Sequence, residues 1–123
     1  MNIEKFNLIY IDGNHSYETV LQDILISSKL LEPDGILCGD DLSLQADEVD
    51  LDALENAISS NQQFVQDPKT GTNYHPGVTG AVWKSFNNVS KYGATWYVQK
   101  SNSDWKSIDL AGEPVEFPPH YQK

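Results

Sequence analysis

An α/β fold built on a parallel strand–helix–strand unit is what this sequence predicts, and three observations carry it. Phe6 to Ile11, FNLIYI, is a near-continuous apolar run of the kind found in strands buried on both faces. Tyr17, Val20, Leu21, Ile24, Leu25 and Leu31 then recur at spacings near three and four, the mark of a helix with one apolar stripe. Ile36-Leu37-Cys38 is a second short apolar strand, ended by Gly39-Asp40-Asp41. Strand, helix and strand in that order make a right-handed parallel crossover.

The punctuation between these elements is consistent with that reading. Ser16 is a good helix N-cap, and Glu18 suits the first turn, where the helix dipole favours negative charge. Pro33 stops the helix, and Asp34-Gly35 supplies a turn in which glycine is free to take positive φ. Further on, Leu51, Leu54 and Ile58 mark a short helix within the acidic stretch from Gln45 to Asn61, with Asp50 near its start. Asp67 to Gly77, DPKTGTNYHPG, is dense in turn-formers and reads as a loop. Val78 to Val89 reads as another helix facing the sheet. Ala94 to Lys100 and Trp105 to Leu110 suit an antiparallel hairpin at the sheet's far edge. Residues 1–110 therefore form one domain, and Ala111 to Lys123, with three prolines, an irregular tail.

Bulk composition narrows the function. The chain has 123 residues and a net charge of −10, from 18 acidic and 8 basic residues. Binding to a phosphate backbone needs clustered Lys and Arg, so a nucleic-acid partner is excluded. Cys38 is the single cysteine, which rules out an intrachain disulfide and points to a reducing cytoplasm. No run of about 18 apolar residues occurs, so no membrane span is expected. The opening MNIEKFN has neither the basic nor the apolar region of a signal peptide.

The chemistry gathers at the strand ends. In parallel α/β sheets the ligand crevice lies beyond the carboxyl ends of the strands. Both apolar strands end there in acid, Asp12 after the first and Asp40 and Asp41 after the second. On neighbouring strands, about 4.8 Å apart, these carboxylates would repel one another unless a cation sat between them. Oxygen donors of this kind suit Mg²⁺, Mn²⁺ or Ca²⁺. His15, just past Asp12, is placed to act as a general base beside such a metal. Turn and cap chemistry accounts for the same aspartates equally simply. Cys38 reads as a small buried hydrophobe. Asp47, Glu48, Asp50, Asp52 and Glu55 read as a solvated helix face, and Trp83, Trp96 and Trp105 as packing anchors. His75 and the loop around it read either as a gate over an acceptor pocket or as a plain connection.

The ordered motifs Ile11-Asp12-Gly13, His15, Tyr17, Leu31-Glu32-Pro33-Asp34-Gly35 and Gly39-Asp40-Asp41, followed by HPGVTGAVWKSF from His75 to Phe86, resemble class I S-adenosylmethionine-dependent methyltransferases. The likeness is to the carboxyl-terminal half of their small-molecule O-methyltransferase-like branch and spans roughly residues 6 to 100. It implies a partial Rossmann-like methyltransferase sheet and methyl transfer from S-adenosylmethionine to an oxygen of a small acceptor. It also implies a role for Asp12 and Gly13 in cofactor binding. In metal-dependent relatives the cation is held by acids at the positions of Asp12, Asp40 and Asp41, and the position of His15 carries the base. Asp34 stands where the family usually has glycine. The family's glycine-rich cofactor loop has no counterpart here, for G-x-G-x-x-G does not occur. That implies a chain holding only part of the cofactor site, with FNLIYI as an open apolar edge. A homodimer paired through Phe6–Ile11 is the expected remedy. Two other readings remain open. One is a non-catalytic remnant that dimerises or binds a partner. The other is a metallophosphoesterase, suggested only by the three residues Gly13-Asn14-His15.

Overall fold

The computed structural model describes residues 6–12, 15–101 and 104–106. The expected role of Gly13 and the expected tail from Ala111 lie outside these residues. The first strand, β1, runs Phe6–Ile11, and the first helix, α1, Tyr17–Leu30. Ser16 caps α1 as expected, its hydroxyl accepting from the Thr19 N–H at 3.4 Å. The chain turns extended at Leu31 rather than at Pro33, and β2 spans Leu31–Gly39. β1 and β2 are parallel neighbours, with Leu8 opposite Ile36, Tyr10 opposite Cys38 and Ile11 opposite Gly39.

The expected turn survives as an irregularity inside β2. The register jumps between the Phe6–Leu31 and Leu8–Ile36 pairs. Asp34, not Gly35, takes the positive φ, at 67°. Gly35 serves a different purpose: a Cβ there would lie 2.7 Å from Leu31 Cδ1 and 2.8 Å from the Glu32 carbonyl oxygen. Glycine is needed for close approach, not for backbone freedom.

Beyond β2 come a short 3₁₀ turn, Ala46–Glu48, and the helix α2, Leu51–Ser59. Asp50 caps α2, accepting from the Ala53 N–H at 2.9 Å. The expected loop contains a small ladder of its own, β3 (Val65–Gln66) paired antiparallel with β4 (Asn73–Tyr74). Helix α3 spans Pro76–Phe86, shifted two residues earlier than the apolar spacing suggested, because Pro76 fits the first helical turn and Asn87 ends it at φ 63°. A strand that the sequence reading missed, β5 (Ser90–Tyr92), then leads to β6 (Thr95–Ser101) and β7 (Asp104–Lys106). β6 and β7 pair antiparallel, giving the described part of the expected hairpin; residues 107–110 lie outside it. The hairpin is not wholly peripheral. β6 pairs antiparallel with β2 on one side, and β5 and β7 pair with it on the other.

The main core lies between this sheet and helices α1 and α3, around Ile24, Leu31, Leu37, Val78, Val82, Trp96 and Val98. A second cluster of Leu44, Val49, Leu54 and Tyr74 fills the space under α2 and the small ladder. Two sequence expectations about burial change, those for Leu25 and Trp83, while the open apolar edge at β1 is as expected. Phe6 and Leu8 are 48% and 43% exposed, because β1 has a strand on one side only among the described residues. That is the edge where a second copy was expected to pair. Leu25 falls outside the buried stripe of α1, and Trp83 is largely exposed rather than an anchor. No helix among the described residues is long and apolar enough to cross a membrane.

Two contacts hold the layers in place. Gly77, in the first turn of α3, lies against the chain just before α1: a Cβ there would come within 2.1 Å of the His15 carbonyl oxygen and 2.6 Å of the Tyr17 nitrogen. The second is Asp67, fully enclosed. Burial alone would raise its carboxyl. Hydrogen bonds from the Asp50 N–H, the Thr70 hydroxyl and the N–H groups of Thr70 and Lys69 outweigh burial and hold it below the usual carboxylate range.

Each contact has a measurable consequence. Gly77→Ala forces backbone against backbone, so a loss of about 1–3 kcal/mol is expected from urea denaturation; an unchanged midpoint would show that the contact is loose. A carboxylate with a depressed folded-state pKa contributes stability that is complete above its unfolded value, ~3.9, and lost as pH falls through the folded value. The urea midpoint should therefore drop below about pH 4, and Asp67→Asn should make that drop shallower.

Candidate functional site

The parallel pairing of β1 and β2 fixes where the acidic side chains emerge. Ile11 and Gly39 are register partners, so Asp12 and Asp40 leave adjacent strands at the same end. Gly39 shapes the floor. A Cβ at this position would meet the Trp96 ring at 2.7 Å, so its absence lets the indole of β6 lie directly over the strand end. With Val20 and Val78, Trp96 forms the apolar base of a crevice whose rim carries Asp12, His15, Asp40 and Asp41. Its volume is about 10 Å³, room for a water molecule and not for an enclosed nucleoside.

The carboxylates on this rim have different tasks. Asp40 accepts from the Asp41 N–H at 3.0 Å and from the Thr95 hydroxyl at 3.4 Å, as a turn-forming aspartate does. It also accepts from the Tyr10 hydroxyl. Burial, the charge of Asp40, that hydrogen bond and the charge of Asp12 together push the Tyr10 phenol well above its ordinary range. Asp12 and Asp40 thus act on one hydroxyl. Asp12 itself is exposed. Asp41 takes a left-handed backbone, φ 66°, and its side chain reaches His15: Nε2 of His15 lies 2.7 Å from Asp41 Oδ2. Since a carboxylate only accepts, His15 Nε2–H is the donor, and Nδ1 is left with a lone pair. The two side chains are 35% and 39% exposed, so the pair adds at most about 1 kcal/mol to stability. Its value lies in fixing the tautomer and the ring plane.

His75, held at the N-cap of α3, completes the cluster. Its ring stacks on that of His15 with centroids 3.9 Å apart and planes 17° apart. Phe64 packs against it at 4.8 Å. Its Nδ1–H donates to the Gln63 carbonyl at 2.9 Å, because that oxygen can only accept. One ligand atom each from His15, Asp41 and His75 lies within 4.8 Å of the others. Among the described residues this is the group that converges, whereas Asp12 and Asp40 line the crevice without joining it. The sequence left His75 either in a gate over an acceptor pocket or in a plain connecting loop, and did not bring it to His15. The signal lay in the Pro76-Gly77 pair that follows it, a helix start able to approach another backbone closely.

The remaining candidates are structural. Cys38 is buried in β2, its thiol pushed up to about 12 by burial, and it donates to the Ile9 carbonyl at 3.5 Å. Asp47, Glu48, Asp52 and Glu55 are exposed, as a solvated helix face should be.

Comparison with known proteins gives one result. A family described as a methyltransferase domain matches residues 2–42, about a third of the chain. The matched span contains β1, α1 and β2, and with them Asp12, His15, Asp40 and Asp41. No curated protein and no solved structure matches the chain.

Proposed function

We propose that this chain carries the acceptor-activating side of an S-adenosylmethionine-dependent methyltransferase that acts on an oxygen of a small molecule. The observation that carries the reading is the 2.7 Å contact between His15 Nε2 and Asp41 Oδ2 at the carboxyl ends of two adjacent parallel strands. It falls inside the span that matches a methyltransferase domain.

His15 is the general base. Asp41 holds the Nε2 proton, which leaves Nδ1 to accept the proton of an acceptor hydroxyl lying over the crevice. Asp41 then stabilises the imidazolium that results, as an orienting carboxylate does in other histidine-based sites. The cofactor, when bound, supplies a methyl group made electrophilic by its sulfonium. The described residues offer one wall for such a molecule rather than an enclosed pocket, given the small crevice. What they do supply is a deprotonated oxygen held in place, and orientation of that kind is a large share of the barrier in group transfer. Asp12, Asp40 and Asp41 are oxygen donors of the type that holds Mg²⁺. Asp12 and Asp40 do not converge with Asp41 as they stand, so the side chains would have to close up before they could hold such an ion, and no step here depends on one.

Methyl-labelled S-adenosylmethionine, incubated with the chain and a panel of small hydroxylated acceptors, provides the check. Label is expected on acceptor oxygen, and His15→Gln should cut the rate by about 10²–10⁴-fold, the usual worth of a general base. Transfer that is indifferent to His15, or confined to nitrogen or carbon acceptors, would overturn the assignment. A folded chain that transfers no methyl and takes up no S-adenosylhomocysteine in calorimetry would favour the binding-module alternative, with the exposed β1 edge as its interface.

A further inference from the structure

We infer that His15, Asp41 and His75 form a binding site for a borderline divalent transition-metal ion of the Zn²⁺ class, one that shares Asp41 with the oxygen donors of the crevice rim. Two imidazoles and one carboxylate are the donor set of such ions, which prefer nitrogen where Mg²⁺ and Ca²⁺ prefer oxygen. One ligand atom from each side chain already lies within 4.8 Å of the others, and the His15–Asp41 pair lies at 2.7 Å.

Ligands about 2.0–2.1 Å from a tetrahedral ion sit roughly 3.3 Å apart, so capture requires shifts on the order of an ångström. The side chains have the freedom for this, with His15 and Asp41 more than a third exposed. The ion takes the place of the proton between His15 Nε2 and Asp41 Oδ2, and the ring changes tautomer, carrying its one proton on Nδ1, so that His15 binds as a neutral imidazole. The stacked rings, now 17° from parallel, tilt toward each other so that both nitrogens aim at one point.

A second, independent observation points the same way. Metal-bound histidines nearly always donate their other ring N–H to a carbonyl or carboxylate, which fixes the tautomer and strengthens the ligand. His75 already does this, Nδ1–H donating to the Gln63 carbonyl at 2.9 Å and leaving Nε2 as the nitrogen with a lone pair. The protein supplies three ligands, and water the fourth, the pattern of an open site.

The site stands without the methyl-transfer reading. One consequence rests on that reading: an ion on His15 commits its nitrogen and its carboxylate partner, so Zn²⁺ should act as an inhibitor even where Mg²⁺ assists.

The test is Zn²⁺ binding by the whole chain in competition with a chromogenic chelator, repeated with Co²⁺ for its visible ligand-field bands. A single ion is expected, bound at least tenfold more weakly by His75→Gln, His15→Gln and Asp41→Asn, and equally by the exposed-acid control Asp47→Asn. Excess Mg²⁺ should not displace it, and Co²⁺ should show four-coordinate bands that disappear in His75→Gln. Equal affinity in His75→Gln, or several weak ions indifferent to the histidines, would overturn the site. If a variant loses its fold by circular dichroism, ring resonances of the unaltered chain decide. Zn²⁺ must shift His15 and His75 together, and a shift of one without the other, or of neither, refutes the inference. None of these readouts depends on methyl transfer, so failure here and failure of the enzymatic reading are told apart.

Discussion

The close approach of Gly77 to the chain at His15–Tyr17 is the constraint on which the rest of this site depends. Helix α3 docks on α1 through a glycine whose missing side chain lets backbone meet backbone. Because α3 starts there, its N-cap residue His75 is carried over His15 and the two rings stack. Because the same contact fixes the backbone at His15–Tyr17, it helps to set the His15 ring beside Asp41. A larger residue at position 77 would press on the His15 carbonyl and the Tyr17 nitrogen, and so move His75 relative to His15. The site is therefore a product of packing first and of electrostatics second.

The electrostatics alone would not assemble it. A pair as exposed as His15 and Asp41 contributes too little to pull a loop into place. The unusual backbone at Asp41 carries a cost, since non-glycine residues rarely occupy positive φ. Burial elsewhere offsets that cost: Trp96 lies over Gly39, Leu42 is buried just beyond, and the Leu42 N–H donates to the Ala94 carbonyl at 2.9 Å. Asp40, by accepting from Asp41's own N–H, shapes the turn that aims Asp41. Adjacent aspartates thus divide the labour, one forming the corner and the other reaching His15.

Much of this was legible in the sequence, and the pattern of what was not is physical. β1, α1 and the end of β2 declare themselves because apolar runs, helical spacing and a serine cap are local signals. The adjacency of Asp12 and Asp40 follows from the parallel crossover, and the structure bears it out. What stayed hidden is non-local. β5 is three residues long and owes its existence to β6, so no period could reveal it. β6 reads as an edge hairpin from its own residues, yet β2 claims its other side. Asp41's choice of His15 depends on one backbone angle, and the meeting of His15 with His75 depends on a glycine contact between distant segments. The irregular start of β2 escaped for a related reason: Pro33 and Asp34 signal a turn correctly, but not that parallel pairing resumes on both sides of it.

Asp41 stands at the junction of two chemistries, and this decides how the site would respond to metal ions. With its proton in place, His15 is a donor to Asp41 and offers no nitrogen on that side. A hard cation then sees only oxygen, and its natural partners are the carboxylates on the crevice rim. A borderline ion can displace that proton and gain nitrogen bonds that Mg²⁺ does not value, since affinity for mixed nitrogen and oxygen sites rises toward Cu²⁺ and Zn²⁺. His75 tips the balance, because without it the borderline ion would hold only one nitrogen. The stacked histidine is therefore a poor choice for a site meant to admit Mg²⁺ alone. Its tautomer, fixed by the Gln63 carbonyl, would suit it to a borderline ion at that carboxylate.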